Sequence, residues 1–282
     1  MNYYENLRHG TEDFPIGIHD TICQKGFHLY PHLHSEFEFL VMTKGCGNVY
    51  IDDAAYELQA GEALFINCHQ LHLGEPADNA PAEFFAVVFA PEIFGSPVKD
   101  LIADKYVAPI INKLLTLPVK YTHAQPWQSD ILNILCDIHR LYLEASLGWE
   151  LKIKARLLEL WQLSFINADK QAQNNYNPTI ENIKKAAIYI KQHYSQPLTL
   201  DDMASHINMN RSYFCRCFSE IMHTTPFEYL LQTRIDNSCL LLKSTSLSVG
   251  EIAGQCGFNS FSYFSKTFKR FIGVSPREYA RS

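Results

Sequence analysis

The chain has 282 residues, 24 Lys and Arg against 30 Asp and Glu for a formal charge of −6, and 47% hydrophobic residues. That length holds two ordinary domains and that apolar content fills real cores, which excludes a disordered acidic tail, a collagenous chain and a low-complexity protein. The charge is unevenly divided: residues 1–175 carry 12 basic and 22 acidic side chains, residues 176–282 carry 12 and 8, and such asymmetry points to a nucleic-acid partner for the second half.

The opening MNYYENLRHGTEDF has neither the basic nor the apolar segment of an export signal, and no run approaches the ~20 apolar residues of a membrane span. The eight cysteines (23, 46, 68, 136, 215, 217, 239, 256) form no C-x-x-C pair, as expected of thiols kept reduced in a cytoplasm. No membrane partner is expected.

From Phe14 to about Phe94 the sequence predicts short strands: 36–42, 48–51, 63–67 and 83–89 are rich in β-branched and aromatic residues. Turn signals at Gly45, Gly47, Asp52-Asp53, Gly61, Gly74 and Pro76–Pro81 separate them, the pattern of an all-β barrel or sandwich. Within this stretch His32, His34 and Glu38 are separated by even numbers, so on an extended chain they share one face. Two imidazoles and a carboxylate converging in a barrel suit a divalent metal, with His72 as a fourth ligand. The spacing Gly26-x5-His32-x-His34-x3-Glu38-x6-Gly45, followed by Gly61 to His72, resembles the two motifs of the cupin barrel, the second degraded by Asn67 where Pro is usual and His69 where Gly is usual. Phe27, Tyr30, Phe37, Tyr50 and Phe65 would suit a sugar or aromatic ring, but core packing is their expected job and they do not identify the ligand.

After Pro126 the period changes to that of helices. Ile131, Leu135, Ile138, Leu141 and Tyr142 form one apolar stripe, and Leu151, Ala155, Leu158, Trp161 and Phe165 a second, with a turn around Gly148. The helices 127–145 and 150–168 would either close the barrel or present a second apolar surface. The polar run Asp169 to Asn177 ending at Pro178 reads as a linker.

The remaining hundred residues repeat at a spacing of fifty: Ser212-Tyr213-Phe214-Cys215-Arg216-Cys217-Phe218 returns as Ser262-Tyr263-Phe264-Ser265-Lys266-Thr267-Phe268. Thr225-Pro226 and Glu228-Tyr229 likewise return as Ser275-Pro276 and Glu278-Tyr279, whereas Met203-Ala204 matches Ile252-Ala253 at forty-nine, so the second turn holds one extra residue. Each copy predicts a helix, a tight turn at Asn208 or Gly257, and a second helix. The second helices bury Phe214, Cys217 and Phe218 in one copy and Phe264, Phe268 and Phe271 in the other. Ser212, Arg216 and Ser219, flanked by Cys215, then face outward, as do Ser262, Lys266 and Lys269. Packing does not require the same outward Ser and basic residue twice. Two such helices about 34 Å apart would enter successive major grooves of double-stranded DNA.

The stretch from about Ile183 to Arg281 resembles the AraC/XylS-type transcription regulators: two helix-turn-helix units (about 200–221 and 248–271), a linking helix from Phe227 to about Lys243, Ile252-Ala253 with Gly257-Phe258, and a terminal Gly273-x-Ser275-Pro276-x-x-Tyr279. The resemblance implies a multidomain α+β chain: a cupin-like effector barrel with an N-terminal arm (1–95), a helical extension (96–168), a linker (169–178) and the DNA-binding domain (179–282). It places base and phosphate contacts on Ser212, Cys215 and Arg216 and on Ser262, Tyr263 and Lys266; with Arg211, Ser219 and Lys269 these form the expected DNA-binding set. Cys215 stands where a longer polar side chain is common, which shifts readout by the first helix toward Arg216. The resemblance further implies dimerisation through the extension, RNA polymerase as a possible partner, and a barrel that holds a small effector, a sugar or related metabolite, at His32, His34, Glu38, Tyr50 and His72 without metal or other cofactor. The alternative is a metal-dependent cupin enzyme tethered to DNA, using His32, His34, Glu38 and His72.

Overall fold

Residues 37–44 read Phe-Glu-Phe-Leu-Val-Met-Thr-Lys, and six of the eight are buried although their side chains alternate between two faces. Such a strand needs a cover on both sides. One face carries Leu40 and Met42 into a cluster with Phe27, Val49, Ile51, Leu58, Leu64, Phe84 and Val88; the other carries Phe37, Phe39 and Val41 into a cluster with Phe65, Phe85, Phe89, Ile131, Leu135, Leu157 and Trp161. The first cluster is a barrel interior, and the second is a layer of helices on the barrel wall.

The computed structural model describes residues 9–11, 13–95, 100–169 and 177–281, which fall into two compact units, 9–169 and 177–281. The first contains β1 (Ile16–Cys23), β2 (Leu29–His32), β3 (Phe37–Lys44), β4 (Cys46–Ile51), β5 (Ala54–Gln59), β6 (Ala63–Ile66), β7 (His72–Pro76), β8 (Ala82–Phe89) and β9 (Lys120–Tyr121). A five-stranded sheet in the order β1-β8-β3-β6-β9 faces a four-stranded one in the order β2-β7-β4-β5, and the pairs within each sheet are antiparallel. The four predicted strands are β3, β4, β6 and β8 to within two residues at each end.

A short turn of helix, α1 (Ala108–Ile111), leads to β9 and then to α2 (Pro126–Glu144) and α3 (Trp149–Ile166), joined through Gly148 at φ +78°. These helices pack on the outer face of the five-stranded sheet and do not cap the barrel end. Barrel and helices therefore share one core across the expected boundary at 95/96. The stripe expected on α3 needs correction: Ile153, Leu157, Leu160, Trp161 and Ser164 are buried, whereas Leu151 and Ala155 are exposed. Apolar residues surround most of this helix, so periodicity alone does not select a face. The aromatic wall selects it, through Trp161 against Phe37 and Phe94 and through the Tyr121 hydroxyl on Ser164 Oγ.

The second unit consists of α4 (Pro178–His193), α5 (Leu200–His206), α6 (Arg211–Met222), α7 (Pro226–Ser244), α8 (Val249–Gln255), α9 (Phe261–Ile272) and α10 (Pro276–Arg281). Most of the expected linker, 170–176, and residues 1–8 of the arm lie outside the described residues. Thr199 caps α5: its Oγ1 accepts from Asp202 N at 3.2 Å while the Asp202 carboxylate accepts from Thr199 N at 2.9 Å. Ser248 and Glu251 repeat the box on α8, forty-nine residues later as the sequence offset requires. Thr199→Ala is expected to lower stability by about 1 kcal/mol, read as a lower melting temperature of the helical unit, because the Asp202 amide loses its acceptor.

Candidate nucleic-acid interface and candidate metal centre

The two repeats superpose in sequence and in structure. Helices α6 and α9 are both 12 residues long and start fifty residues apart, each capped by a side chain, Asn210 or Ser260, that accepts from the amide of Tyr213 or Tyr263. The turns before them use left-handed residues at the predicted places, Asn208 at φ +53° and Gly257 at φ +82°. Phe214, Cys217 and Phe218, and in the second copy Phe264, Thr267 and Phe268, point into their cores. Phe271, expected inside, is only half-buried, with the Arg270 guanidinium 4.6 Å above its ring.

The outward set stands where the sequence put it. Arg211, Ser212, Arg216, Ser262, Tyr263, Lys266 and Lys269 are exposed, while Cys215 and Ser219 are half-buried at the flanks. Arg216 lies over the Tyr213 ring at 5.3 Å, which holds its charge along the helix face. Arg211 donates to Asp201 at 3.3 Å; both side chains are solvated, so this pair is weak and competes little with a phosphate. The sequence reading missed Phe261. It occupies in α9 the place of Arg211 in α6 and is 48% exposed, an apolar ring in the first turn of the helix. The signal was present: a Phe outside the stripe formed by Phe264 and Phe268.

In the barrel, the structure brings together His32, His34, Glu38 and His72, all buried, with one ligand atom from each within 4.8 Å of the others. The route differs from the expected one. His32 ends β2 in the four-stranded sheet, Glu38 lies on β3 in the five-stranded sheet, and His34 sits in the crossing between them, so the even spacing does not place them on one strand face. What aligns them is pairing: His32 is in register with His72, and Glu38 points to the interior with Leu40 and Met42. The His69 amide donates to His34 O at 2.8 Å and ties the two loops; His69 has φ +60°, which accounts for the glycine usual there. Tyr50 does not join the centre. It pairs with Leu73, one residue from the His72 register, and so projects from the opposite face of the sheet, beside Glu75.

The hydrogen bonds set the chemistry of the centre. Each imidazole Nδ1 faces a backbone carbonyl: His32 on Tyr30 O at 2.6 Å, His34 on Glu36 O at 3.2 Å and His72 on Gln70 O at 3.0 Å. A carbonyl only accepts, so each Nδ1 carries a proton; Nε2 is then an acceptor in a neutral ring and a second donor in a charged one. The Nε2 atoms of His34 and His72 lie 2.9 and 3.2 Å from Glu38 Oε2, itself an acceptor when ionised. Acceptors at this spacing need a positive charge among them, a proton or a cation. Burial works to raise the Glu38 carboxyl, but His72 and His34 outweigh it and hold it well below the usual carboxylate range. The two distances to Glu38 Oε2 are close to ligand edges around an ion with bonds of about 2.1 Å, the four ligand atoms as a set lie within 4.8 Å, and Nδ1–H bonds to carbonyls are the outer-shell contacts that orient metal-binding histidines. The residues therefore fit a divalent metal. The sequence reading also left out His9 and Glu36, both buried beside His34, with His9 hydrogen-bonded to His19.

A barrel with a buried polar centre and a unit with two recognition helices define a class, the ligand-responsive DNA-binding proteins. Residues 21–161 match the family described as AraC-like ligand binding domain, half of the chain, and residues 203–282 match the helix-turn-helix domain. Over 95% of its length the chain is 34% identical to the HTH-type transcriptional regulator YisR of Bacillus subtilis, covering 94% of that protein. It is 27% identical to YdeC of the same organism over all of this chain and 97% of the relative. It is also 27% identical to the melibiose operon regulatory protein of Escherichia coli K12, over 90% of this chain and 85% of the relative. The chain belongs to the AraC-type family of transcriptional regulators. It is a DNA-binding regulator with a ligand-binding domain, and among its described residues no helix is long and apolar enough to cross a membrane.

Proposed function

We propose that this regulator reads promoter DNA with the exposed faces of α6 and α9 and is controlled by a small metabolite, a sugar or a related compound, held at the His32, His34, Glu38 and His72 centre. The single observation that carries the reading is the pairing of two equivalent outward basic helices in one unit with a buried, convergent polar centre in the other. Arg216 and Lys266 supply the main base or phosphate contacts, with Ser212, Ser262, Tyr263 and Lys269 around them, and Phe261 suits the methyl group of a thymine. The melibiose operon relative supports a sugar as effector. The protein acts in the cytoplasm as a homodimer, a reading supported by Leu143, Leu147 and Leu151, which stand exposed at the α2–α3 turn, and RNA polymerase is its partner at the promoter.

A specific observation favours a second reading of the same centre, the facing acceptors of Glu38, His34 and His72. His32, His34, Glu38 and His72 would hold one divalent ion, and the ion would supply a Lewis-acid anchor for an effector hydroxyl or carboxylate. The backbone carbonyls on each Nδ1 keep the three imidazoles aimed, and Leu40, Met42 and Val88 pack beside them.

Elemental analysis separates the readings. A metal centre predicts about one zinc, manganese or iron ion per barrel after dialysis, lost in His72→Ala; no bound ion at excess metal contradicts it. For the effector, thermal shift over a panel of sugars tests the site, since a ligand at 100 times its Kd stabilises by about 2.7 kcal/mol. The shift should vanish in Glu38→Gln, and a shift retained there would move the pocket elsewhere.

A further inference from the structure

The two helix-turn-helix halves of the second unit are joined in sequence by α7, and a buried cation sits midway along it. Arg234 is 9% exposed. Its Nε donates to Tyr194 O at 2.7 Å and an Nη donates to Gln196 O at 2.9 Å, both carbonyls of the connection between α4 and α5 in the first half. The other side of the same guanidinium lies over the ring of Phe258, 5.7 Å away, in the turn of the second half. Next to it Gly257 passes so close that a Cβ there would stand 2.8 Å from Tyr194 O, 2.9 Å from Ser195 O and 3.0 Å from Arg234 Nε. Tyr194 itself packs against the core of the second half, with Leu231, Ile252 and Phe258.

The turn that presents α9 therefore rests directly on the connection that follows α4, and one planar side chain bonds the first half while lying over a ring of the second. The carbonyls at the end of α4 are the negative end of that helix, which favours a cation there. Only a guanidinium offers two donors in a fixed fork together with a flat face, so Lys in its place keeps the charge and loses the geometry.

We propose that Arg234 and Gly257 lock α6 and α9 into one reading head, so that this clamp sets the spacing and rotational phase of the two DNA tracts the protein accepts. Arg234 is a positioning residue: it touches no base and acts through the angle at which α9 is presented. The inference rests on the reading that both helices contact DNA. It adds that their separation is rigid rather than set by a hinge in α7.

The test uses the full chain and duplexes that it enriches from a random pool. Affinity is measured for the selected duplex and for versions with one or two base pairs inserted between the two tracts, each inserted pair moving one tract by about 3.4 Å along the axis and rotating it by a tenth of a turn. The wild type should lose more than about 100-fold on a single insertion, equivalent to more than about 2.8 kcal/mol at tenfold per 1.4 kcal/mol. Arg234→Lys and Gly257→Ala should lose less than about tenfold, with the preferred bases within each tract unchanged. Two variants on different elements are used because either alone could fail to fold, and circular dichroism verifies the helical content. Equal insertion penalties in wild type and variants, even with weaker binding throughout, would overturn the clamp while leaving DNA reading by both helices intact. Enrichment of no two-tract duplex by the wild type would overturn both.

Discussion

Arg216→Ala combined with Lys266→Ala is expected to abolish measurable selective binding to promoter DNA while leaving the melting temperature unchanged. Each side chain is exposed on the outward face of its recognition helix, so its removal costs no core packing. A base or phosphate contact of this kind contributes roughly 1 to 3 kcal/mol, and changes on separate helices without shared partners add, giving about 2 to 6 kcal/mol together. The single variants divide the roles. Loss of a phosphate contact lowers the salt slope by about one and weakens all sequences alike, whereas loss of a base contact relaxes preference at one position. Binding isotherms at two or more salt concentrations, with melting curves of the same preparations, read both quantities. Unchanged isotherms in the double variant would refute the assignment of the outward face.

Phe268→Ala produces the largest expected loss of stability. Its ring is fully buried between Phe264 at 5.6 Å and Tyr279 at 5.6 Å, inside the cluster formed with Leu231, Ile235, Ile252 and Phe258. Truncation removes the transfer energy of the ring and leaves a cavity that the surrounding helices fill only in part, a cost of about 3 to 5 kcal/mol. That is a large share of the ~5 to 15 kcal/mol available to a domain, so the second half is expected to unfold at a markedly lower temperature. Urea denaturation followed by circular dichroism checks it. One residue away, Lys269→Ala should leave stability within about 0.5 kcal/mol, because Lys269 is exposed on the other face of the same turn.

The DNA-binding unit was legible because it is written twice. The fifty-residue repeat fixes which positions must be equivalent, and the caps Thr199 and Ser248, the left-handed turns at Asn208 and Gly257 and the buried pair Phe264 and Phe268 all follow from short-range rules. Phe261 is not legible in the repeat, because the repeat marks what the copies share and Phe261 differs from its counterpart Arg211. Arg234 was not readable as a clamp, since its partners Tyr194, Gln196 and Phe258 lie 40, 38 and 24 positions away in sequence and only the packing of the two halves brings them together.

The barrel was legible in its residues and not in its geometry. His32, His34, Glu38 and His72 do converge, but across two sheets and a loop, a juxtaposition that strand pairing creates and even spacing on one strand does not. Tyr50 shows the converse: it is close in sequence to the centre, yet a one-residue offset from the His72 register turns it to the other face. The helix α3 fails for a third reason, an apolar surface too broad for periodicity to choose the buried side. In each case local pattern named the participants and long-range pairing decided the face.

The central claim is that two equivalent helices of one unit read two tracts of one DNA duplex. Selection of duplexes from a random pool by the full chain, followed by hydroxyl-radical footprinting of the enriched sequence, tests it most directly. The predicted result is two protected tracts per protomer on one face of the duplex, about 10 to 10.5 base pairs apart between centres, with Arg216→Ala erasing the preference in one tract and Lys266→Ala in the other. A single tract sensitive to both substitutions, or protection without any enriched sequence, would contradict it.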